Sequence, residues 1–320
     1  MRILAVQNRK GIGDTIIFLP FFKAISEKYS VPIDILVRDS SKTKEYLTNT
    51  KYINAIHILE RNDQSNGKHD GLLGAINLIK YLKDKNFDKI FIFNSSLRFN
   101  LIARCAGIKE IYQYPLFEKN KQHITKAAKL LIENSLNIKK FDDPYIEINK
   151  NEAEKITSKF NINKDDLNLL LGIGGSGPTK RIPPKTFIKF IKKIAEIKKC
   201  KFFLATGKNE DEQKILNEIM DSEFGKFCIS LDELSIKETL PVIQNCNVAI
   251  CNDSSFSHLA AALEVNTITL MADTPLVYGS YSSKMHPIIP DGETDVTHNT
   301  MGKDRISSDN IFKKFIEILN

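Results

Sequence analysis

The chain has 320 residues, of which 42% are hydrophobic and 27% are charged, and its formal net charge is +7. This size and composition predict a soluble globular protein of two domains, neither of which needs disulfides or metals to build a core. The five cysteines form no Cys-x-x-Cys pair and are odd in number. That pattern argues against a disulfide framework or a zinc site and for the reducing cytoplasm.

The excess of basic residues indicates an acidic partner: nucleic acid, an anionic membrane surface or a phosphorylated substrate. The sequence has no dense basic cluster with interleaved aromatic residues, so nucleic acid is disfavoured. No signal peptide is visible behind Met1, and the apolar run 16–22 is far shorter than the ~20 residues that span a bilayer. We therefore expect a cytoplasmic protein that touches a membrane only at its surface.

The first half of the chain alternates between strand and helix patterns. Pro20 lies inside the first helical segment, where it is expected to kink or restart the helix. Continuous apolar strands that alternate with amphipathic helices predict a parallel sheet with both faces covered. Strands are predicted at 3–6, 32–37, 55–59, 88–93 and 145–148, and helices at 16–29, 72–85, 97–106 and 122–136.

The same alternation starts again near residue 167, and the two halves are joined near 150–166. The segment 273–306 is rich in Pro, Gly, Ser and Tyr and is predicted to be a loop. Ligands of such sheets bind at the carboxyl ends of the strands, so the Gly-rich turns of both halves are expected to face one cleft. Strands are predicted at 167–172, 201–206, 227–230, 247–251 and 266–271, and helices at 184–197, 209–220, 235–246, 256–263 and 308–319.

A glycine-rich turn, Gly11-Ile12-Gly13-Asp14-Thr15, follows the first predicted strand. It is not the Gly-x-Gly-x-x-Gly fingerprint of dinucleotide-binding proteins, because residue 16 is Ile, and a nicotinamide oxidoreductase is disfavoured. The glycines let the backbone approach a ligand closely, and Asp14 is the only acid in the turn. The alternative interpretation of Asp14 is a helix N-cap assisted by Thr15.

A second turn joins the predicted strand 247–251 to the helix that begins near Phe256. A sharp strand-to-helix turn leaves free backbone N–H groups, which form an anion site together with the helix dipole. Asp253 in this turn repels phosphate and is better suited to accept hydrogen bonds from the hydroxyls of a neighbouring sugar. The alternative interpretation is an ordinary N-cap by Asp253 or Ser254 ahead of an Ala-rich buried helix face.

Four motifs occur in order along the chain. They are Gly11-Ile12-Gly13-Asp14 with Pro20, Asn94-Ser95-Ser96-Leu97-Arg98, Gly174-Gly175-Ser176 with Lys180-Arg181-x-Pro183, and Asn252-Asp253-Ser254 followed by His258. Together they resemble glycosyltransferase family nine, which contains the ADP-heptose:lipopolysaccharide heptosyltransferases. The resemblance implies an α/β fold of the glycosyltransferase B type, with two Rossmann-like domains whose parallel sheets face a central cleft.

The resemblance also implies a division of labour along the chain. We expect an N-terminal acceptor-side domain at 1–160 and a nucleotide-sugar-binding domain at 161–306. A C-terminal helix at 307–320 is expected to pack back on the first domain. No bound metal and no cofactor are implied, because the nucleotide sugar is a substrate.

The resemblance to the family assigns the catalytic step to Asp14. It is implied to be the general base that removes the proton from the acceptor hydroxyl as that oxygen attacks the anomeric carbon. Inversion needs only this one base, with the nucleotide diphosphate as leaving group. The residues implied to lie on the acceptor side are Gly13, Thr15, Ser96 and Arg98.

The later motifs are implied to bind the donor. Lys180 is expected to contact the diphosphate and to offset the negative charge that grows on the leaving oxygen. Asp253 is expected to hold sugar hydroxyls. The other implied donor-binding residues are Gly175, Ser176, Asp211, Ser254, Ser255 and His258.

Two of these assignments have alternatives. His258 is expected either to face the phosphates or to support the turn, and we favour support. For the acid that binds the nucleotide ribose, Asp211 aligns best, with Glu210 and Glu212 as alternatives. The same acids are also typical of the solvated first turn of a helix.

The chain departs from the family pattern at three places. Ile182 stands where the family often has Trp, and Ser255 stands where Gly is usual. The segment 109–113 replaces an Arg-x-Gly segment of the first domain, so the acceptor is the least defined part of the prediction.

These inferences predict an inverting glycosyltransferase that moves a heptose from an ADP-activated donor to the lipopolysaccharide core, an anionic glycolipid at the inner face of the inner membrane. One alternative is a glycosyltransferase B enzyme with another nucleotide sugar, such as UDP-hexose, which competition between nucleotides would identify. Another is a non-catalytic nucleotide-sugar-binding homologue, which would bind donor and never release the nucleotide.

Overall fold

Residues 1–62, 67–116, 123–163 and 165–320 are described by the computed structural model. The chain divides into two units, Met1–Pro144 and Tyr145–Asn320. Each unit is built on one parallel sheet, as the alternation of apolar strands and amphipathic helices predicts. The predicted α/β class with two parallel sheets is confirmed.

The first unit contains a five-stranded sheet. Its strands are β1 (Ile3–Val6), β2 (Ile33–Arg38), β3 (Ile53–Leu59), β4 (Lys89–Ile92) and β5 (Glu110–Gln113), in the order β3-β2-β1-β4-β5. All four residues of β1 are buried, because this central strand pairs with β2 and β4 and both of its faces are covered. The edge strand β5 was not predicted, since its residues are mixed in polarity and partly exposed.

Helices of the first unit connect these strands. Pro20 lies in the first turn of the second helix, where its missing N–H needs no partner, so the helix restarts there as predicted. Leu78 and Leu82 of the fourth helix share a hydrophobic core with Phe99 and Ile102 of the fifth. The helices are α1 (Ile12–Ile16), α2 (Leu19–Tyr29), α3 (Thr43–Tyr46), α4 (Gly71–Lys85), α5 (Leu97–Cys105) and α6 (Ile124–Leu136).

The second unit contains a six-stranded parallel sheet. Its strands are β6 (Leu167–Gly172), β7 (Cys200–Ala205), β8 (Cys228–Ser230), β9 (Val248–Asn252), β10 (Asn266–Leu270) and β11 (Met285–Ile288), in the order β11-β10-β9-β6-β7-β8. The strand β11 lies in a segment that was predicted to be a loop. Its Pro287 is tolerated because β11 is an edge strand, where a missing backbone donor costs little.

The last helix of the second unit was expected to pack back on the first domain. Its buried residues Ile311 and Phe315 lie in the core of the second unit, and the Phe315 ring centroid is 5.7 Å from that of Phe190. Packing on the first domain stays a prediction. In the described part of the chain, no helix is both long enough and apolar enough to cross a bilayer. The helices are α7 (Lys150–Lys159), α8 (Pro184–Ala195), α9 (Glu210–Met220), α10 (Ile236–Gln244), α11 (Ser255–Ala262) and α12 (Ser308–Leu319).

The segment 145–160 belongs to the second unit, whereas the sequence placed the boundary at 160. The strand predicted at 145–148 was wrong, although the Ile146 N–H donates to the Ala262 carbonyl at 2.9 Å. Helix α7 then packs against α10, where Asn245 Nδ2 donates to Thr157 Oγ1 at 3.3 Å. These contacts explain why the boundary comes before α7.

A buried polar cluster connects β2 and β3 of the first unit. Asp34 accepts hydrogen bonds from Arg2 at 2.9 Å and from Asn54 at 2.7 Å. His57 Nε2 lies 2.9 Å from Asp34 Oδ2, and His57 Nδ1 lies 2.6 Å from the Tyr81 hydroxyl. Burial alone would raise the pKa of Asp34, but the hydrogen bonds from His57, Asn54 and Arg2 outweigh burial and lower that pKa.

We expect Asp34→Asn to lower the free energy of unfolding by about 2 kcal/mol at neutral pH, since it removes charged hydrogen bonds from a buried cluster. The pKa of Asp34 is lowered by folding, so its contribution is complete above the unfolded pKa and is lost as the pH falls through the folded pKa. Urea unfolding should therefore show a constant difference between the two proteins near neutrality that shrinks below about pH 4. The exposed Asp84→Asn serves as control, and an equal loss in that variant would contradict the assignment.

Candidate functional site

The carboxyl edge of the second sheet gathers the donor motifs of the sequence. The glycine-rich loop 173–177 follows β6, Thr206 follows β7, and Asp253 follows β9. Neighbouring strands of this sheet run parallel, so these segments meet at one edge. Asn252, fully buried at the end of β9, donates through Nδ2 to the carbonyls of Ile173 at 2.8 Å and Gly174 at 3.2 Å. It thereby fixes the loop to the strand.

An ion pair lies at the centre of this edge. Lys180 Nζ is 2.7 Å from Asp253 Oδ2, and the Asp253 side chain is buried while that of Lys180 is partly exposed. Burial alone would raise the pKa of Asp253, but the positive charge of Lys180, helped by His258, lowers it below its ordinary value. The carboxylate is therefore charged at neutral pH. The ammonium group that was expected to contact the diphosphate pairs with this carboxylate.

Glu212 lies beneath the glycine-rich loop. Its carboxylate is buried, and Oε1 accepts a hydrogen bond from Gly175 N at 2.7 Å. A Cβ added at Gly174 would lie 2.3 Å from Oε1, and one added at Gly207 would lie 2.4 Å from Oε2. A side chain at either position would displace the Glu212 carboxylate. The Gly175 amide, which was expected to face phosphate, donates to this carboxylate instead.

The two other acids in the first turn of α9 form ion pairs with basic side chains instead. Asp211 is exposed and forms an ion pair with Arg181 NH1 at 3.0 Å, while Arg181 Nε donates to the Gly175 carbonyl at 2.9 Å. Glu210 is exposed and pairs with Lys214 at 2.9 Å. Of the three acids, the structure brings Glu212 to the loop, whereas the sequence pattern favoured Asp211.

Several buried polar atoms at this edge have no hydrogen-bond partner in the protein. They are Thr206 Oγ1, Asn252 Oδ1 and Ser254 Oγ. Buried polar atoms are normally hydrogen-bonded, so a group of orphaned ones indicates a site that a polar ligand completes. Ser254 is the N-cap residue of α11, but its side chain makes no cap hydrogen bond. The ordinary N-cap interpretation of this turn is therefore wrong for the Ser254 hydroxyl.

His258 supports the same turn from the side of α11. Its Nδ1 lies 2.7 Å from the Tyr281 hydroxyl, and the two rings are stacked with centroids 5.6 Å apart. Ser255 begins α11 and is partly exposed, and Ser176 is exposed at the tip of the loop. Within the described ranges, no group of three His, Cys, Asp or Glu side chains is arranged to hold a metal ion.

The carboxyl edge of the first sheet holds the glycine-aspartate turn. Gly11 is the N-cap of α1, and its N–H donates to Asp14 Oδ2 at 3.2 Å. Arg9 NH1 lies 3.5 Å from Asp14 Oδ1, and the Asp14 side chain is 24% exposed. Gly13 is buried inside α1, and Thr15 is buried and accepts from Gln7 Nε2 at 3.3 Å. Asp14 thus supports the helix start and still has a surface for a ligand.

The second motif of the first unit follows β4 at the same edge. Ser96 is the N-cap of α5, and its N–H donates to Asn94 Oδ1 at 3.0 Å while its side chain makes no cap hydrogen bond. Arg98 NH2 donates to the His69 carbonyl at 2.8 Å. β1 and β4 are neighbouring parallel strands, so this motif and the Asp14 turn share one edge.

Sequence reasoning missed Asn252 and Glu212 as organising residues of the second edge. A signal for Glu212 was present: Asn209, three residues earlier, caps α9, and Asn209 Oδ1 accepts from the Glu212 N–H at 3.1 Å. Asn252 ends a buried strand, where a polar side chain needs a partner, and the glycine-rich loop after the neighbouring strand β6 provides it.

Comparisons with known proteins agree with these features. A family model, that of glycosyltransferase family 9 (heptosyltransferase), matches residues 75–289 of this chain. Lipopolysaccharide heptosyltransferase 1 of Campylobacter coli is 22% identical to this chain over a match of 323 residues. The match covers 91% of this chain and 90% of the relative. The chain also resembles the solved structure of Escherichia coli ADP-heptose lps heptosyltransferase II, with a TM-score of 0.76 at 17% identity, covering 100% of this chain and 98% of the other. Escherichia coli heptosyltransferase WaaC with ADP gives a TM-score of 0.71 at 15% identity, covering 99% of each chain.

Proposed function

The chain belongs to glycosyltransferase family 9, and from this premise we propose that it is an inverting enzyme that transfers a heptose from an ADP-activated donor to the core of a lipopolysaccharide. The proposal is carried by one observation, the ion pair of partly exposed Lys180 with buried Asp253 beside orphaned polar atoms at the carboxyl edge of the second sheet. Such a pair offers a cation for a diphosphate and a carboxylate for sugar hydroxyls within one site.

The donor is proposed to bind at this second-sheet edge. The diphosphate replaces Asp253 as the partner of Lys180, and the N-terminus of α11 adds its backbone N–H groups and its dipole. Asp253, released from the lysine, accepts hydrogen bonds from sugar hydroxyls. Glu212 is proposed to be the acid nearest the ribose, because it is the one of the three candidate acids that lies under the loop.

The transfer itself is proposed to use Asp14 as base. The acceptor hydroxyl oxygen forms a bond to the anomeric carbon of the heptose, and the bond from that carbon to the diphosphate oxygen breaks. The hydroxyl proton goes to Asp14, and ADP leaves with the bonding electron pair. Lys180 offsets the charge that the leaving oxygen gains. Two carboxylate oxygens offer about four acceptor positions, so the Gly11 N–H leaves room for this proton.

The acceptor is proposed to be an anionic glycolipid at the cytoplasmic face of the inner membrane. The net charge of +7 favours a phosphorylated acceptor and an anionic leaflet. The name of the Campylobacter coli relative, a lipopolysaccharide heptosyltransferase, supports this class of acceptor. Escherichia coli heptosyltransferase WaaC, which was solved with ADP, supports the adenine nucleotide of the donor.

The donor is tested by calorimetric titration of the full chain with ADP, UDP and GDP. We expect ADP to bind at least about tenfold more tightly than the other two, because adenine and the smaller or more polar bases require different pockets. When each nucleotide is added as an inhibitor of ADP-heptose turnover, the order of inhibition should match the order of the affinities. A preference for UDP would contradict the heptose donor while keeping the enzyme class. Absence of binding by all three nucleotides would support the non-catalytic alternative.

A further inference from the structure

Exposed leucine and isoleucine side chains gather near the amino-terminal ends of α4 and α5. Leu72 and Leu73 are 79% and 76% exposed, and Ile76 is exposed on the next turn of α4. Leu97 and Leu101 are exposed one turn apart on α5. We name these five residues the leucine patch. Large apolar side chains exposed at consecutive helix positions mark an interaction surface more often than an ordinary water-facing one.

The two helix ends that carry the leucine patch are tied together. Arg98, in the first turn of α5, donates to the carbonyl of His69, which lies just before α4. Gly74 of α4 packs directly on His69, where an added Cβ would lie 2.3 Å from the His69 carbonyl carbon. Further along the helices, Leu78 and Phe99 share one hydrophobic core. These contacts fix the two helix ends that carry the leucine patch.

Exposed lysines flank the α4 part of the leucine patch. Lys68, just before α4, and Lys80, one turn after Ile76, are exposed. The acids nearby are each paired with a basic residue, Glu60 with Lys68 at 3.9 Å and Asp70 with Arg61 at 3.0 Å. The basic residues of these helices are Lys80, Lys83, Lys85, Arg98 and Arg104. Apolar side chains among basic ones complement an anionic lipid leaflet, which offers both an acyl interior and negative headgroups. A second copy of the chain is a poorer occupant, because a symmetric contact would bring the same basic residues face to face.

The position of the leucine patch in the first unit is also informative. α4 and α5 begin at the carboxyl edge of the first sheet, because they follow β3 and β4. The Asp14 turn follows β1 at the same edge, since the strands of this sheet run parallel. A leaflet that met the patch would bring its lipid-linked sugars to the edge of the sheet that carries the proposed base.

We propose that the leucine patch is a membrane-docking surface: Leu72 and Leu73 enter the acyl boundary of an anionic leaflet while Lys68 and Lys80 meet its headgroups. This inference rests on the proposed function, in which the acceptor is a membrane glycolipid. It deepens that function by naming the part of the chain that meets the membrane.

Vesicle co-sedimentation of the full chain tests the proposal, with vesicles of phosphatidylcholine that contain about 20% phosphatidylglycerol. We expect the wild-type protein to bind these vesicles and to bind pure phosphatidylcholine less. The double variant Leu72→Ser/Leu73→Ser should bind the anionic vesicles about tenfold more weakly, since two apolar side chains are lost from the contact. The control Ile197→Ser removes a side chain that is 58% exposed in the second unit and should leave vesicle binding unchanged.

Three results would overturn the docking surface. One is wild-type protein that does not bind anionic vesicles, and another is a leucine variant that binds them as the wild type does. The third is a wild-type dimer in sedimentation velocity that the leucine variant dissociates, with no vesicle binding, which would make a second copy the occupant. Vesicle binding requires no nucleotide. A protein that does not bind ADP would therefore reject the proposed donor but would not change the conclusion about vesicle binding. An unchanged urea-unfolding transition of the leucine variant shows that its fold is intact.

Discussion

Replacing Asp14 with asparagine is expected to lower turnover at saturating donor and acceptor by a factor of about 10² to 10⁴, the usual contribution of a general base. Asparagine keeps the shape of the side chain, and its amide oxygen can accept the Gly11 N–H that now lies 3.2 Å from Asp14 Oδ2. It cannot take the proton of the acceptor hydroxyl. The measurement is the rate of ADP release from the donor in the presence of acceptor.

Asp39→Asn is the matched control for this variant. Asp39 is exposed just after β2, at the same edge of the sheet, and the turn that it begins packs beside α1. The control removes the same charge from the same edge and should retain wild-type turnover. ADP affinity should be unchanged in both variants, which would confine the loss in Asp14→Asn to the chemical step. Wild-type turnover in Asp14→Asn would reject the base.

Replacing Lys180 with alanine is expected to weaken ADP binding at least about tenfold and to lower turnover by about 10² to 10³. The ammonium group is the cation nearest the buried Asp253 carboxylate, 2.7 Å away, and is proposed to exchange that partner for the diphosphate. Calorimetric titration measures the first effect and ADP release the second. Lys185→Ala, which removes an exposed lysine from the start of α8, is the control and should change neither.

Lys180→Ala should also destabilise the second unit, because it leaves the buried Asp253 charge without its partner, at a cost of about 3 kcal/mol. The double variant Lys180→Ala/Asp253→Asn removes that charge and should recover most of the stability in urea unfolding. It should not recover ADP binding. This pair of variants separates folding from recognition, and a Lys180→Ala protein that binds ADP as the wild type does would reject the diphosphate role.

The buried strands and the family could be predicted from the sequence, because their signals are local. Ile3–Val6 is a continuous apolar run, and Leu167–Gly172 is interrupted only by Asn168, and the ends of both match the observed strands. The ordered motifs predicted glycosyltransferase family nine, and the family comparison confirms it. The predicted enzyme class, a glycosyltransferase, is confirmed with it.

The missed elements lack such a signal. Helix α7 (Lys150–Lys159) has no buried residue, so its sequence carries no clear apolar stripe. The strands β5 and β11 lie at sheet edges, where one neighbour suffices and polar residues or proline are tolerated. Element type at such positions is decided by tertiary contacts, which a single sequence does not display.

The sequence predicts which motifs form the candidate site, but it does not predict the contacts among their side chains. Lys180 and Asp253 are 73 positions apart, and the sequence analysis assigned them separate ligand groups without their 2.7 Å ion pair. The choice between Asp211 and Glu212 depends on the direction in which consecutive helix residues point, about 100° apart, and on the position of the glycine-rich loop. Spacing alone could not decide it. The roles of Asp14, Lys180, Asp253 and the other proposed ligands stay predictions.

The order of strands along the chain has a consequence for biosynthesis. All five strands of the first sheet come from residues 3–113, so this sheet can assemble on the ribosome while the second unit is still being made. The second unit differs, because its edge strand β11 (Met285–Ile288) and the core residue Phe315 of α12 are among its last parts to be synthesised. Until residue 315 has left the ribosomal tunnel, Phe190 and its neighbours lack the side chain that covers them. The nascent second unit therefore exposes this apolar surface until its last helix has been made.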